Sequence, residues 1–141
     1  MKKLITLFSV LAFFSLSAQT LPSTYVQTPI ISGLQNPSDF AWLPDGRYLV
    51  TQKGGVTATT TNATILIFKS DGTSIGTFYN LTDSVDANGE RGLHGIEVDP
   101  DFNNNHYIYA YYTYRNTAKT VRAIRVVRFT ESANVGTNTT L

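Results

Sequence analysis

Two Pro-Asp turns 56 residues apart, Pro44-Asp45 and Pro100-Asp101, constrain this chain more than any other feature. Each lies inside a similar run of residues. Gly33-Leu34 leads through Phe40-Ala41-Trp42-Leu43 to the first turn, and Gly92-Leu93 through Ile96-Glu97-Val98-Asp99 to the second. A strand rich in Tyr, Val and Ile follows each turn, and then a third strand, Ile65-Leu66-Ile67-Phe68 or Val126-Val127-Arg128-Phe129. Short β-branched and aromatic runs bounded by Gly, Pro, Asn and Asp read as strands, here 38–43, 48–52, 64–69, 74–79, 93–98, 107–114 and 121–130. An antiparallel unit recurring at this spacing is the pattern of a β-propeller blade. A blade cannot bury both faces of its sheet alone, so it needs a neighbour on each side. The first unit has four strands. The second fades after Thr130 into Ser, Asn, Gly and Thr, giving about one and three-quarter blades. The fold class expected is all-β: four-stranded antiparallel blades of an incomplete propeller. It leaves the last strand, 121–130, with an open edge. A self-contained small β-sandwich fits the same strand count.

Composition narrows the function. Of 141 residues, 42% are hydrophobic and 15% charged, enough to bury a core. A net charge of +1 excludes a nucleic-acid surface built on phosphate neutralisation. The absence of cysteine excludes disulfide frameworks, thiolate metal sites and thiol nucleophiles. Residues 1–18 read as a signal peptide: Lys2 and Lys3, then an apolar stretch from Leu4 to Leu16 too short to span a bilayer, then Ser17-Ala18. The expectation is a secreted or periplasmic protein with no integral membrane association, whose domain occupies residues 19–141.

The residues that carry chemistry cluster around the second unit. In a propeller, the first strand of each blade lines the central channel, and the link from the preceding blade arrives at one mouth of it. This places Glu90, Arg91 and His94 near a concave ligand-binding position. Gly92 and Gly95 suit a crowded approach of backbones. The plainer alternatives are that Glu90 and Arg91 are solvated link residues and that His94 is a packing histidine. Two oxygen-rich runs, Asp83–Glu90 and Asp99–Asn105, contain calcium-type ligands, but Asp and Asn are also ordinary turn formers and neither run has the full EF-hand pattern. Tyr107, Tyr109 and Tyr111 alternate onto one strand face, Tyr112 and Tyr114 onto the other. They suit packing between blades better than sugar stacking. Arg122, Arg125 and Arg128 lie in a β-branched context, which divides them between the two faces of a strand.

The stretch from Asp86 to Tyr109, with Glu90-Arg91-Gly92-Leu93-His94-Gly95, the Asp99-Pro100-Asp101-Phe102 turn and Tyr107-Ile108-Tyr109, resembles the glucose/sorbosone dehydrogenase family. Gly33-Leu34, Leu43-Pro44-Asp45-Gly46 and Leu49-Val50-Thr51 look like that family's first blade, and Arg125-Val126-Val127-Arg128-Phe129 like a later strand of it. The resemblance implies the N-terminal portion of a secreted six-bladed propeller. When intact, that protein would bind pyrroloquinoline quinone (PQQ) and calcium and oxidise an aldose, with hydride passing to the quinone and then to an electron acceptor. It implies one cofactor-binding residue here, Glu90, where PQQ-dependent relatives carry a glutamine. A carboxylate cannot donate as an amide does, and it opposes an anionic cofactor unless a cation compensates. By the same resemblance, the general-base histidine, the catalytic arginine and the calcium site belong to later blades, so no catalytic residue and no metal site is expected within these 141 residues. The alternative is a non-catalytic secreted propeller that binds carbohydrate or protein through its channel face.

Overall fold

The structure is a computed structural model that describes residues 22, 24–55, 62–118, 120 and 122–139. The signal-peptide reading of residues 1–18 lies outside the described residues. The described residues form two four-stranded antiparallel sheets, each a meander in sequence order. The first contains β1 (Pro37–Trp42), β2 (Tyr48–Gln52), β3 (Thr64–Phe68) and β4 (Ser74–Asn80). The second contains β5 (Leu93–Val98), β6 (Tyr107–Arg115), β7 (Arg122–Ser132) and β8 (Val135–Thr139), with one helical turn, α1 (Phe102–Asn105), between β5 and β6. The sheets do not close on one another, as blades of an incomplete propeller.

One expectation is corrected. The second blade is complete, because β8 pairs with β7 from Arg128↔Thr139 to Ser132↔Val135 and covers the edge expected to be open. The two-residue turn joining them has positive φ at Ala133 (50°) and Asn134 (69°), the geometry a tight hairpin requires. Asn134 N–H donates to Glu131 Oε1 at 2.9 Å, which fixes the turn. Gly136 is demanded by packing: a Cβ there would stand 2.5 Å from Phe78 Cε1. A segment that reads as polar and weakly β-forming is thus a strand because of its neighbours.

The core is the seam between the sheets. Leu49, Ile65, Ile67 and Phe78 of the first sheet meet Leu93, Ile96, Ile108, Val127 and Phe129 of the second. The Phe78 and Phe129 rings meet edge to face at 6.0 Å between centroids. Tyr112 is buried in this seam, whereas Tyr111 points the other way and is exposed. The outward faces stay apolar and uncovered: Phe40 and Trp42 (59% exposed) on the first sheet, Ile124 (59%) and Val126 on the second.

The repeat extends to backbone irregularities. The β1–β2 ladder slips between Pro37 and Asp39, and the β5–β6 ladder slips between Leu93 and Gly95, the same spacing as the two Pro-Asp turns. Ser38 and His94 are therefore equivalent bulge residues. Bulges at a rim re-aim a side chain out of the regular alternation.

Candidate functional site

The segment joining the sheets, residues 81–92, forms one rim together with the ends of β2 and β6. Backbone bonds hold it, and the first residue of β5 that follows it, to the neighbouring elements. Leu81 N–H reaches Ala63 O at 2.8 Å, Asp86 N–H reaches Thr113 O at 2.9 Å, and Leu93 N–H reaches Lys53 O at 3.0 Å. Val85 makes a bridge to Tyr114 and is itself buried. Within the turn that follows, Arg91 N–H closes onto Asn88 O at 3.2 Å, with Gly89 in the left-handed region at φ 61°.

Asp86 anchors this link. Its carboxylate is buried and accepts from Arg122 Nε at 2.6 Å through Oδ2 and from Asn88 N–H at 3.2 Å through Oδ1. Arg91 Nε lies 3.0 Å from the same Oδ2 as an ion pair. Burial alone would push the Asp86 pKa up. The Arg122 hydrogen bond, the Asn88 amide and the two nearby positive charges outweigh it, so the carboxyl lies below its usual range. In sequence Asp86 stands within the oxygen-rich run Asp83–Glu90. In the structure it is the anchor of the link.

Glu90 is exposed on this rim and makes no hydrogen bond or ion pair among the described residues. Its chain neighbour Arg91 is directed to Asp86, so Arg91 does not neutralise it. Lys53, the residue after β2, donates from its Nζ to the carbonyl of Gly89, one residue before Glu90. Sequence reasoning passed over Lys53, because a lysine after a strand carries no local signal of a partner 36 residues away.

His94 is half-buried, with its ring 5.9 Å from that of Tyr111. Gly92 faces the crowding expected of it: a Cβ would approach Lys53 Cγ to 2.4 Å and Lys53 O to 2.7 Å. Gly95 does not, since a Cβ there would meet Asp39 Oδ2 and Tyr111 Cβ at an ordinary 3.7 Å.

The sheets are stitched together at the start of β1. Ser38 Oγ donates to Leu93 O at 2.7 Å and shares a 2.9 Å hydrogen bond with Thr51 Oγ1, and Asp39 Oδ2 accepts from Ile96 N–H at 3.0 Å. The Asp99–Asn105 run is used up within its own turn. Asp99 accepts from Asp101 N–H and Asn105 Nδ2 through Oδ1, and from Tyr109 Oη through Oδ2, each at 2.9 Å. Among the described residues, no group of three or more His, Cys, Asp or Glu side chains is placed to hold a metal ion. The arginines divide as their strand context requires: Arg125 stacks 3.3 Å over Tyr114 and Arg128 stacks 4.1 Å over Tyr107. No helix of the described residues is long and apolar enough to cross a membrane.

The family model described as Glucose / Sorbosone dehydrogenase matches residues 34–141. A quinoprotein glucose dehydrogenase B of Acinetobacter calcoaceticus is 33% identical over 92 residues, covering 64% of this chain and 18% of that protein. The structure of the PQQ-bound form of an aldose sugar dehydrogenase from Streptomyces coelicolor superposes with a TM-score of 0.62 at 24% identity, covering 81% of this chain and 32% of that one. The apo form of a soluble aldose sugar dehydrogenase from Escherichia coli gives 0.55 at 21% identity, over 75% of this chain and 28% of that one. At these identities the structural likeness speaks to the fold. The chain spans about a fifth of the curated relative and under a third of the E. coli structure.

Proposed function

The chain belongs to the Glucose / Sorbosone dehydrogenase family, and on that footing we propose that it is the N-terminal portion of an exported, PQQ-dependent sugar dehydrogenase that oxidises an aldose. The observation that carries the reading is the family match over residues 34–141, which takes in both blades and the link between them. The two uncovered apolar faces support it, because a blade buries its outward face against the next blade of a ring.

In this reading PQQ, when bound, would supply the hydride acceptor for oxidation of the sugar's anomeric carbon. The part played by this chain is to build one sector of the rim. Glu90 offers acceptors only, so by itself it would repel a tricarboxylate. The Lys53 ammonium on the neighbouring Gly89 carbonyl brings a positive charge beside Glu90, which offsets part of that repulsion. Calcium, the sugar-facing base and most cofactor contacts belong to the blades that follow.

The test uses the full-length protein, supplied with PQQ, CaCl₂, an aldose and a dye acceptor. Dye reduction that requires both the quinone and the sugar is the expected result, and its absence in a folded, quinone-saturated preparation sinks the proposal. A second reading, a non-catalytic propeller that binds carbohydrate or protein, is favoured by one observation: Glu90 is an unpaired carboxylate where a donor serves quinone binding. That reading expects sugar or protein binding with no quinone affinity.

A further inference from the structure

We propose that Lys53 is the positioning residue of the Gly89–Glu90 turn and the positive charge that allows a carboxylate-bearing ligand to approach Glu90. The second half of this statement rests on the quinoprotein reading; the first half does not.

Lys53 engages the rim with every part of itself. Its backbone N–H donates to Asn36 O at 2.9 Å, and its carbonyl accepts from Leu93 N–H at 3.0 Å, so the residue joins the entry to β1 with the first residue of β5. Its side-chain stem runs over Gly92 so closely that a Cβ on the glycine would collide with Cγ at 2.4 Å. Its ammonium ends on the Gly89 carbonyl. Gly89 is itself in the left-handed region and, as a glycine, brings no side-chain restraint of its own to the turn.

Two other cations near the turn are directed elsewhere. Arg91 and Arg122 both face Asp86, a buried carboxylate that needs them. Among the described residues Lys53 forms no ion pair, and Glu90 forms none either. Among the described residues, the Gly89–Glu90 turn therefore brings together a cation and a carboxylate that form no ion pair, the cation resting on the carbonyl of the residue before the carboxylate. A carboxylate-bearing ligand is drawn to the first while accepting the second. Removing the ammonium leaves Glu90 as uncompensated negative charge at the same place.

Three variants of the full-length protein decide this: Lys53→Met, which keeps the stem and loses the ammonium, Lys53→Arg, which keeps the charge, and Glu90→Gln. The first readout is amide hydrogen exchange in the protein without cofactor. Lys53→Met should speed exchange of residues 88–91 by about five- to tenfold, with the β2 and β5 amides unchanged and Lys53→Arg close to the parent. Unchanged exchange at 88–91, or acceleration spread over the whole sheet, overturns the positioning role.

The second readout is the Kd of PQQ with CaCl₂ present, followed by fluorescence. Lys53→Met should weaken it about tenfold, Lys53→Arg should restore it, and Glu90→Gln should tighten it. Equal Kd values for the parent and Lys53→Met overturn the charge role. A parent protein with no PQQ affinity sinks the quinoprotein reading and the charge role with it, while the exchange measurement still decides the positioning role.

Discussion

The two Pro-Asp hairpins begin alike and end differently. In the first, Leu43 N–H bonds Arg47 O at 2.9 Å, and Gly46, at φ 88°, makes the reversal in a tight loop. In the second, the equivalent bond runs from Asp99 N–H to Tyr107 O at 3.0 Å, and the intervening residues wind into α1, closed by His106 at φ 58°. Pairing registers show the inserted length: Trp42 faces Tyr48 and Val98 faces Ile108, so the spacing of 56 between the turns becomes 60 on the returning strands. The longer turn drops Phe102 into the seam at 4% exposure, where it joins the common core. The shorter turn reaches the other sheet with a charge instead: Arg47 pairs with Glu131 at 3.1 Å and donates to Asn134 Oδ1 at 2.5 Å. One repeat unit thus seals the seam with an apolar side chain, and the other with an ionic clamp.

If that contrast is right, Phe102→Ala should be the costlier lesion, about 3–5 kcal/mol from lost burial and an unfilled cavity, while Asp45→Ala in the shorter turn should cost below about 1 kcal/mol. Urea melts with matched slopes measure both. Equal losses would break the comparison.

The clamp should come next. Arg47→Met removes the guanidinium from a Glu131 side chain that is only 8% exposed, and leaves a nearly buried carboxylate facing Asn134 and His106. We expect a loss of about 1–3 kcal/mol. The double variant Arg47→Met with Glu131→Gln should recover part of it, because no stranded charge remains. A double variant no better than the single one would mean the clamp works through packing.

Much of the fold was legible in the sequence because the seam obeys simple alternation. Ile65 and Ile67, or Ile108 and Ala110, sit at period two and all face inward. Gly46 after Pro44-Asp45 announces its own turn. What escaped depended on partners distant in sequence. Nothing local says that Gly136 is a strand residue, since its reason is Phe78. Nothing local marks Lys53, since its partner is Gly89. Glu90 could be placed on the link from the repeat, but the commitment of Arg91 to Asp86 could not, because Asp86 is also engaged by Arg122 from the far side of a hairpin. The missed hairpin suggests a smaller change: Ala133 holds φ 50° without need of a side chain, so Ala133→Gly should stabilise the second sheet by up to about 1 kcal/mol. A loss of stability there would argue that Ala133 contributes packing.

The subtlest difference between the two hairpins should appear in acid. Asp45 and Asp99 both have pKa values lowered from 3.8, by different means. For Asp45 the largest cause is the hydrogen bond from Arg47, a charged partner. For Asp99 it is the Asn105 amide, followed by the Asp101 N–H and the Tyr109 hydroxyl, all neutral. A carboxylate whose folded pKa is depressed stabilises the protein above its unfolded value, and that contribution is lost as pH falls through the folded pKa. Thermal melts from pH 5 down to pH 2 should therefore show Tm falling on the acid side, less steeply in Asp45→Asn and in Asp99→Asn than in the parent. Salt separates the mechanisms. Raising ionic strength screens the exposed Asp45–Arg47 pair and should shrink the difference between Asp45→Asn and the parent, while the Asp99→Asn difference persists. If both differences vanish together in salt, long-range charge governs the second turn as well, and the neutral donors around Asp99 serve only its geometry.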